Sequence, residues 1–166
     1  MIISKTPYRI SFFGGGTDYP EWYMKNSGQV LATSINKYSY ITCRYLPPFF
    51  DHRLSISYGI MEKCMDTKDI KHPSAKAVLK YLKIFNNVAI HHDGDLPARS
   101  GIGSSSTFTV GLFNALNKFS NNIKLTKSKL AKTSIFIEQN IIGECVGSQD
   151  QICAAYGGFN HITFKK

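Results

Sequence analysis

The stretch from Leu96 to Thr107 (LPARSGIGSSST) restricts the folding of this chain more than any other. It follows a β-branched run, Val88–His92, closed by Asp93-Gly94-Asp95, and it opens the most apolar helical pattern in the chain, Ser105–Phe119. Gly101 and Gly103 permit backbone conformations that carry a steric cost for other residues, and they allow close approach by a ligand. Ser104, Ser105 and Ser106 supply helix caps and hydroxyls. A helix N-terminus behind such a turn presents unpaired N–H groups and a partial positive charge, an anion site suited to a phosphate chain. A Walker A loop would need a lysine after its glycines, and none stands there. A dinucleotide fingerprint would need Gly or Ala where Ser106 stands. The plain alternative is a serine-capped helix after a flexible turn.

Hydrophobic periodicity supplies the rest of the frame. Arg9–Phe13, Tyr38–Tyr45, Leu54–Tyr58, Val88–His92 and Phe159–Phe164 read as strands. Ser74–Phe85, Ser105–Phe119, Lys127–Ile142 and a short segment at Asp150–Tyr156 read as helices, with Gly143 as a C-terminal stop. In Ser105–Phe119 the residues Phe108, Leu112, Ala115 and Phe119 share a face that Val110 and Phe113 widen, which predicts burial on most sides. Tyr58 to Pro73 reads as a break. Strands and helices mix without strict alternation, so the expected class is α+β, a two-layer sandwich of a mixed sheet with helices.

With 166 residues, one domain spanning 1–166 is expected. Lys and Arg number 20 against 11 Asp and Glu, a net charge of +9. The lysines are dispersed, which favours a soluble surface or attraction of phosphorylated small molecules over nucleic-acid binding. No run reaches the roughly 18 apolar residues of a membrane span, and the N-terminus lacks the pattern of a signal peptide. The expectation is a cytoplasmic protein with no nucleic-acid or membrane partner. Cys43, Cys64, Cys145 and Cys153 form no C-x-x-C pair and match no zinc spacing, so free thiols are expected.

Four charged positions carry chemistry. Asp150, in Gly147-Ser148-Gln149-Asp150-Gln151, reads as a helix cap or a buried acid. Glu138 shares an apolar stripe with Ala131, Ile135 and Ile142, where a charge needs either an ion-pair partner or a divalent cation. Arg9 and Asp18 flank the turn Gly14-Gly15-Gly16, and each taken alone reads as a surface ion-pair member.

Together these segments resemble the GHMP small-molecule kinases. Pro97 to Ser106 resembles that family's phosphate loop, TPYRISFFGGGTDY its sugar-kinase N-terminal motif, and GSQDQ the segment with its catalytic aspartate. Among subfamilies the chain most resembles the heptose 7-phosphate kinases. The resemblance implies ATP and Mg²⁺ as cofactors and phosphoryl transfer to a sugar-phosphate hydroxyl, most closely the anomeric hydroxyl of a heptose 7-phosphate. It implies that Pro97, Gly101, Ile102, Gly103, Ser104, Ser105 and Ser106 hold the nucleotide, and that Ser105 and Glu138 ligate the metal. Asp150 would take or orient the hydroxyl proton, beside Arg9, and Gly15, Gly16, Thr17 and Asp18 would meet the sugar. It also implies a left-handed β-α-β crossover in the fold, rare by general rules.

Three departures stand out. Galactokinases carry Glu-His where this chain has Gly15 and Gly16, which speaks against galactose. Arg99 stands inside the phosphate loop where small residues are usual. Family members also carry a C-terminal lobe that this chain does not span. A separate C-terminal lobe or a second copy would then complete the site, and the alternative is a lobe without activity of its own that acts through a partner chain. For a second substrate phosphate, Lys5, Arg44 and Arg53 are candidates.

Overall fold

The computed structural model describes every residue except Arg99 and Asn122; the question raised by Arg99 therefore lies outside the described residues. The elements run β1 (Ile2–Phe13), α1 (Pro20–Asn26), β2 (Gly28–Tyr45), β3 (Leu54–Ser57), β4 (Met61–Cys64), α2 (Pro73–Tyr81), β5 (Val88–Gly94), α3 (Ser104–Asn121), α4 (Lys127–Phe136), α5 (Gln149–Tyr156) and β6 (Phe159–Phe164). One mixed sheet has the order β1-β2-β5-β3-β4, with β6 also paired to β2. Only β3 and β5 run parallel. Helices cover one face, which gives the expected two-layer α+β sandwich.

The long strand β2 organises the molecule. At about 3.3 Å per residue its 18 residues reach roughly 60 Å. Its second half pairs with β5 and its first half with β6, while β1 runs along both. The main core lies under the second half. Ile41 and Cys43 of β2, Leu54 and Ile56 of β3 and Ile90 of β5 pack against Val78 and Leu79 of α2 and Leu112 and Leu116 of α3. A smaller cluster of Val30, Ala32, Cys153 and Phe164 lies under the first half. As its pattern predicts, α3 is buried on most sides.

Four stretches depart from expectation, each for a physical reason. β1 extends back to Ile2, where inward Ser4 and Thr6 interrupt the apolar alternation; α3 comes so close at Gly111 that a Cβ there would stand 2.7 Å from the Thr6 hydroxyl. β2 begins at Gly28, and of its first three inward positions, Gly28, Val30 and Ala32, only Val30 is large. β4 lies inside the expected break, its alternation masked by Glu62 facing inward. α1 has no buried residue and so no amphipathic signal.

The helix from Lys127 changes character at Ile137 and finishes as a π-helical turn, Ile137–Ile142, stopped by Gly143 at φ +80°. Such a turn inserts an extra residue and rotates the remainder of the helix about its axis. Ile137 and Glu138 are adjacent, yet both are fully buried. Cys43, Cys64 and Cys153 are buried free thiols, whereas Cys145 is exposed. No helix among the described residues is long and apolar enough to cross a membrane.

Candidate active site at the start of α3

The loop between β5 and α3 is shaped by its glycines. Gly101 and Gly103 have φ of +74° and +76°, a region that a side chain disfavours. At Gly103 a Cβ would also stand 3.1 Å from Asp150 Oδ2. The loop is braced by the Ser100 hydroxyl, which donates to the Pro97 carbonyl at 2.6 Å. No acidic side chain stands in the first turn of α3, so its N-terminal N–H groups keep their positive potential.

Arg9 ties this loop to α5. Its Nε and Nη2 both donate to Asp150 Oδ1, at 2.7 and 2.6 Å, and its Nη1 donates to the Gly101 carbonyl at 2.8 Å. Its backbone N–H donates to the Ile102 carbonyl at 3.2 Å. Taken alone, Arg9 reads as a surface charge, but its side chain is 12% exposed. The register of β1 on β2 shifts between Pro7 and Arg9, and irregularities of this kind re-aim side chains beside active sites. Burial pushes the Asp150 carboxyl above its ordinary value and nearby Asp18 adds to this, against the pull of Arg9.

Glu138 reaches the same helix start from below. Its Oε2 accepts a hydrogen bond from the Ser106 hydroxyl at 2.8 Å and a short one from Gln151 Nε2. Its Oε1 is buried without a hydrogen-bond partner. Burial raises the pKa of Glu138, opposed by its neighbouring donors. The serine that meets Glu138 is thus Ser106, while Ser105 is exposed and faces a cleft on the other side of the helix start. Among the described residues no three His, Cys, Asp or Glu side chains gather to hold a metal unaided. One carboxylate with an unmet oxygen, beside a hydroxyl, does suit Mg²⁺ when phosphate and water supply the other ligands. The residues therefore fit a cation that arrives with a nucleotide.

The loop contributes to two clefts. Ala98, Ser104 and Ser105 edge a cavity of about 350 Å³ walled by Tyr58, His72 and Phe108. His72 stacks on Phe108 with ring centres 4.4 Å apart and meets Tyr58 edge-on at 4.5 Å. His72 Nδ1 accepts from the Ala75 N–H, which caps α2. Burial lowers the pKa of both His72 and His92, which favours their neutral rings. The wall is anchored by Glu62, 7% exposed, which accepts from the Tyr58 hydroxyl at 2.6 Å and from the Lys71 and His72 N–H groups at 2.6 and 3.0 Å. Burial and that carboxylate push the Tyr58 phenol up to about 12.

Gly101 and Ile102 edge the second cavity, of about 470 Å³, with Arg9, Gly14, Gly15 and Gln149. Its glycine turn is held by backbone contacts. Gly14 has φ +83°, and a Cβ there would stand 1.8 Å from the Gln29 carbonyl. The Thr17 hydroxyl donates to the Gly14 carbonyl at 2.7 Å and accepts from the Gln29 N–H at 3.1 Å. It is thereby engaged inside the turn. Asp18 is not the surface ion-pair member that its sequence position suggests. It is 1% exposed, and it accepts from Gly16 N–H, Gln149 N–H and Gln149 Nε2. Gly15 borders the cleft, and Gly16, at φ +94°, has open space where a side chain would stand.

Sequence reasoning did not find Glu62, His72 or Gln149. Glu62 and His72 sit in the expected break, and Gln149 has no signal beyond its place next to Asp150. Lys5, Arg44 and Arg53 line neither cleft; Lys5 lies over the Tyr38 ring at 3.9 Å.

Residues 70–158, just over half the chain, match the sequence model of the GHMP kinases N terminal domain. The chain is 30% identical to a D-glycero-alpha-D-manno-heptose 7-phosphate kinase of Campylobacter jejuni, over 98% of this chain and 50% of that protein. It is 27% identical to a galactokinase of Thermotoga petrophila, over 96% of this chain and 45% of the other. A crystal structure of a D-glycero-D-manno-heptose 1-phosphate kinase from Bacteroides thetaiotaomicron superposes with a TM-score of 0.88 at 26% identity, covering all of this chain and 57% of its own. The chain thus spans about half the length of the relatives it matches.

Proposed function

Since the chain belongs to the GHMP kinase family, we propose that it is the nucleotide-binding lobe of a sugar-phosphate kinase that transfers the γ-phosphoryl group of ATP to a hydroxyl of a heptose phosphate. One observation carries this reading: the Arg9–Asp150 ion pair is seated against Gly103, at the N-terminus of α3. An anion site and a general base therefore adjoin, as an in-line transfer requires.

The backbone of Gly101, Gly103 and Ser104 cradles the phosphate chain, and the aromatic cavity beside Ser105 takes the planar base. Arg9 engages Oδ1 of Asp150, while Oδ2 faces Gly103. Asp150 Oδ2 accepts the proton of the attacking hydroxyl as that oxygen bonds to the γ-phosphorus and the bond to the β-phosphate oxygen breaks, releasing ADP. A carboxyl raised above its ordinary value is the stronger base for this step. Glu138 and Ser106 hold Mg²⁺, with Ser105 as the alternative hydroxyl. When bound, the cation neutralises charge on the phosphate oxygens. The relatives are named as heptose phosphate kinases and galactokinases; Gly15 and Gly16 favour the former as a guide to the acceptor.

The test is Mg²⁺-dependent formation of ADP from ATP with D-glycero-D-manno-heptose 7-phosphate, and its loss in Asp150→Asn. A second reading rests on the relatives being about twice as long: the lobe turns over only with a companion half. It is supported by exposed Phe13 and Phe159, at 73% and 68%. This reading predicts nucleotide binding by the chain alone and turnover only after the missing half is added.

A further inference from the structure

Among the described residues three polar side chains line the glycine-turn cleft: Arg9, Ser11 and Gln149. Arg9 is engaged by Asp150 and the Gly101 carbonyl, and Gln149 by Asp18. The Ser11 hydroxyl makes no hydrogen bond among the described residues. Unlike Oε1 of Gln149, it is not sealed from solvent, and the residue is partly exposed. Gly15 borders the same cleft, and a Cβ on it would stand 3.7 Å from Ser11 Oγ. The bare Cα of Gly15 therefore leaves open space beside that hydroxyl. Backbone geometry does not call for glycine at this position: Gly14 and Gly16 have positive φ, whereas Gly15 does not, and nothing lies closer than 3.7 Å to its missing Cβ.

The strand turns its backbone to the cleft as well. β1 is an edge of the sheet, and the Arg9 N–H leaves the ladder to donate to the Ile102 carbonyl. Pairing with β2 stays regular from Arg9 opposite Ser34 to Ser11 opposite Ala32. Backbone groups two residues apart in such a ladder point the same way, so the Ser11 N–H and C=O also face outward from the edge, next to the hydroxyl. Ser11 stands on the same face of the strand as Arg9, about 7 Å along it. Past Ser11 the register shifts again before Phe13, which ends the regular edge.

We propose that Ser11 reads the phosphoryl acceptor: its hydroxyl and the backbone groups beside it bind two neighbouring hydroxyls of a polyol whose reacting hydroxyl meets Asp150. This rests on the sugar-kinase reading and adds a specificity residue to it. The Ser11 hydroxyl and carbonyl accept, and the hydroxyl and N–H donate, which complements a pair of hydroxyls that each do both. The absent side chain of Gly15 serves access to Ser11. The recognised class is a sugar or sugar phosphate with adjacent free hydroxyls.

The experiment titrates the full chain, with Mg²⁺ and a non-hydrolysable ATP analogue present, against D-glycero-D-manno-heptose 7-phosphate and its monodeoxy analogues. Wild type is compared with Ser11→Ala, which removes the hydroxyl and keeps the backbone groups. The variant is expected to bind the parent sugar about 5-fold more weakly, the effect of one hydrogen bond, with nucleotide affinity changed less than about 2-fold. One deoxy analogue is expected to lose the same factor against wild type and nothing further against Ser11→Ala. Gly15→Ala, which meets neither a clash nor a disfavoured φ, is expected to weaken sugar binding by at least about 5-fold and to add less than about 2-fold in the Ser11→Ala background. Unchanged sugar binding in Ser11→Ala, or the lack of any analogue whose loss vanishes in that variant, overturns the role of Ser11 alone. Full sugar binding in Gly15→Ala, or losses that add in the double variant, overturns access through Gly15. A wild-type chain that binds nucleotide but no sugar phosphate overturns the acceptor class and this role together.

Discussion

The two clefts that share the phosphate loop are built from different elements. The cleft beside Ser105 is walled by rings, Tyr58, His72 and Phe108, locked by one buried carboxylate, Glu62. The cleft beside Ile102 is lined by the end of β1, from Arg9 to Phe13, and by a turn of glycines pinned by Thr17 and Asp18. Stacked rings present a flat, apolar slot that suits a planar base. Glycine backbone presents N–H and C=O groups at close range, which suits a ligand covered in hydroxyls. Arg9 lines the second cleft and holds Asp150 against Gly103, in the loop that contributes to both. In the proposed reading, nucleotide and acceptor are recognised by separable parts of the chain.

The largest expected effect removes what both clefts serve. Asp150→Asn should lower the transfer rate by about 10³-fold, within the usual range for a general base, with nucleotide affinity nearly unchanged in a thermal-shift titration. In the proposed transfer the carboxylate is the proton acceptor. Because the pKa of Asp150 is raised from 3.8, the acid limb of the rate profile should lie above that value, with activity rising as pH rises through it.

Next comes the side with the glycine turn. Gly147→Ala places a Cβ 1.9 Å from Asp18 Oδ2 and should cost about 3 kcal/mol, read as a fall in Tm. Acceptor affinity should suffer more than nucleotide affinity. On the ring-built side the asymmetry should reverse. Glu62→Ala leaves the Lys71 and His72 N–H groups without their acceptor and should cost about 2 kcal/mol, with weaker nucleotide binding and unchanged acceptor binding. Although burial opposes ionisation, its hydrogen bonds lower the pKa of Glu62. Its contribution is therefore present above the ordinary carboxylate range and is lost as pH falls through the lowered value. Loss of both ligands together in either variant would mean that the clefts are one cooperative unit.

The smallest effect runs the other way. Glu138 is buried with one oxygen unmet and a raised pKa, so its contribution to stability falls as pH rises from 4.5 through the raised value. Glu138→Gln should stabilise the metal-free protein at neutral pH by about 1 kcal/mol, or roughly 2–4 °C in Tm. It should also remove the extra stabilisation that Mg²⁺ adds to that from nucleotide.

Much of this architecture was legible in the residues. The strand, glycine turn and apolar helix around 88–119 follow from side-chain period and glycine placement, as do β3, β6 and the starts of α4 and α5. The first halves of β1 and β2 were hidden because inward positions there hold polar or small residues, Ser4, Thr6, Gly28 and Ala32, with Val30 the one large side chain among the buried positions at the start of β2. β4 was hidden by Glu62, a charge that faces inward because its partners come from Tyr58 and the approach to α2. Asp18 reads as a surface acid until the segment at Gly147–Gln149 closes over it.

Local chemistry decides where an anion can bind: a helix start behind two left-handed glycines needs only adjacent residues, and these stand within Gly101–Ser106. Which acids reach that point is a matter of rotation and register between distant segments. Glu138, at the start of the π-helical turn, meets Ser106 and not Ser105, and the shifted pairing of β1 brings Arg9 onto Asp150. Neither is set by spacing along the chain, because each depends on how two separately formed elements settle against a shared core.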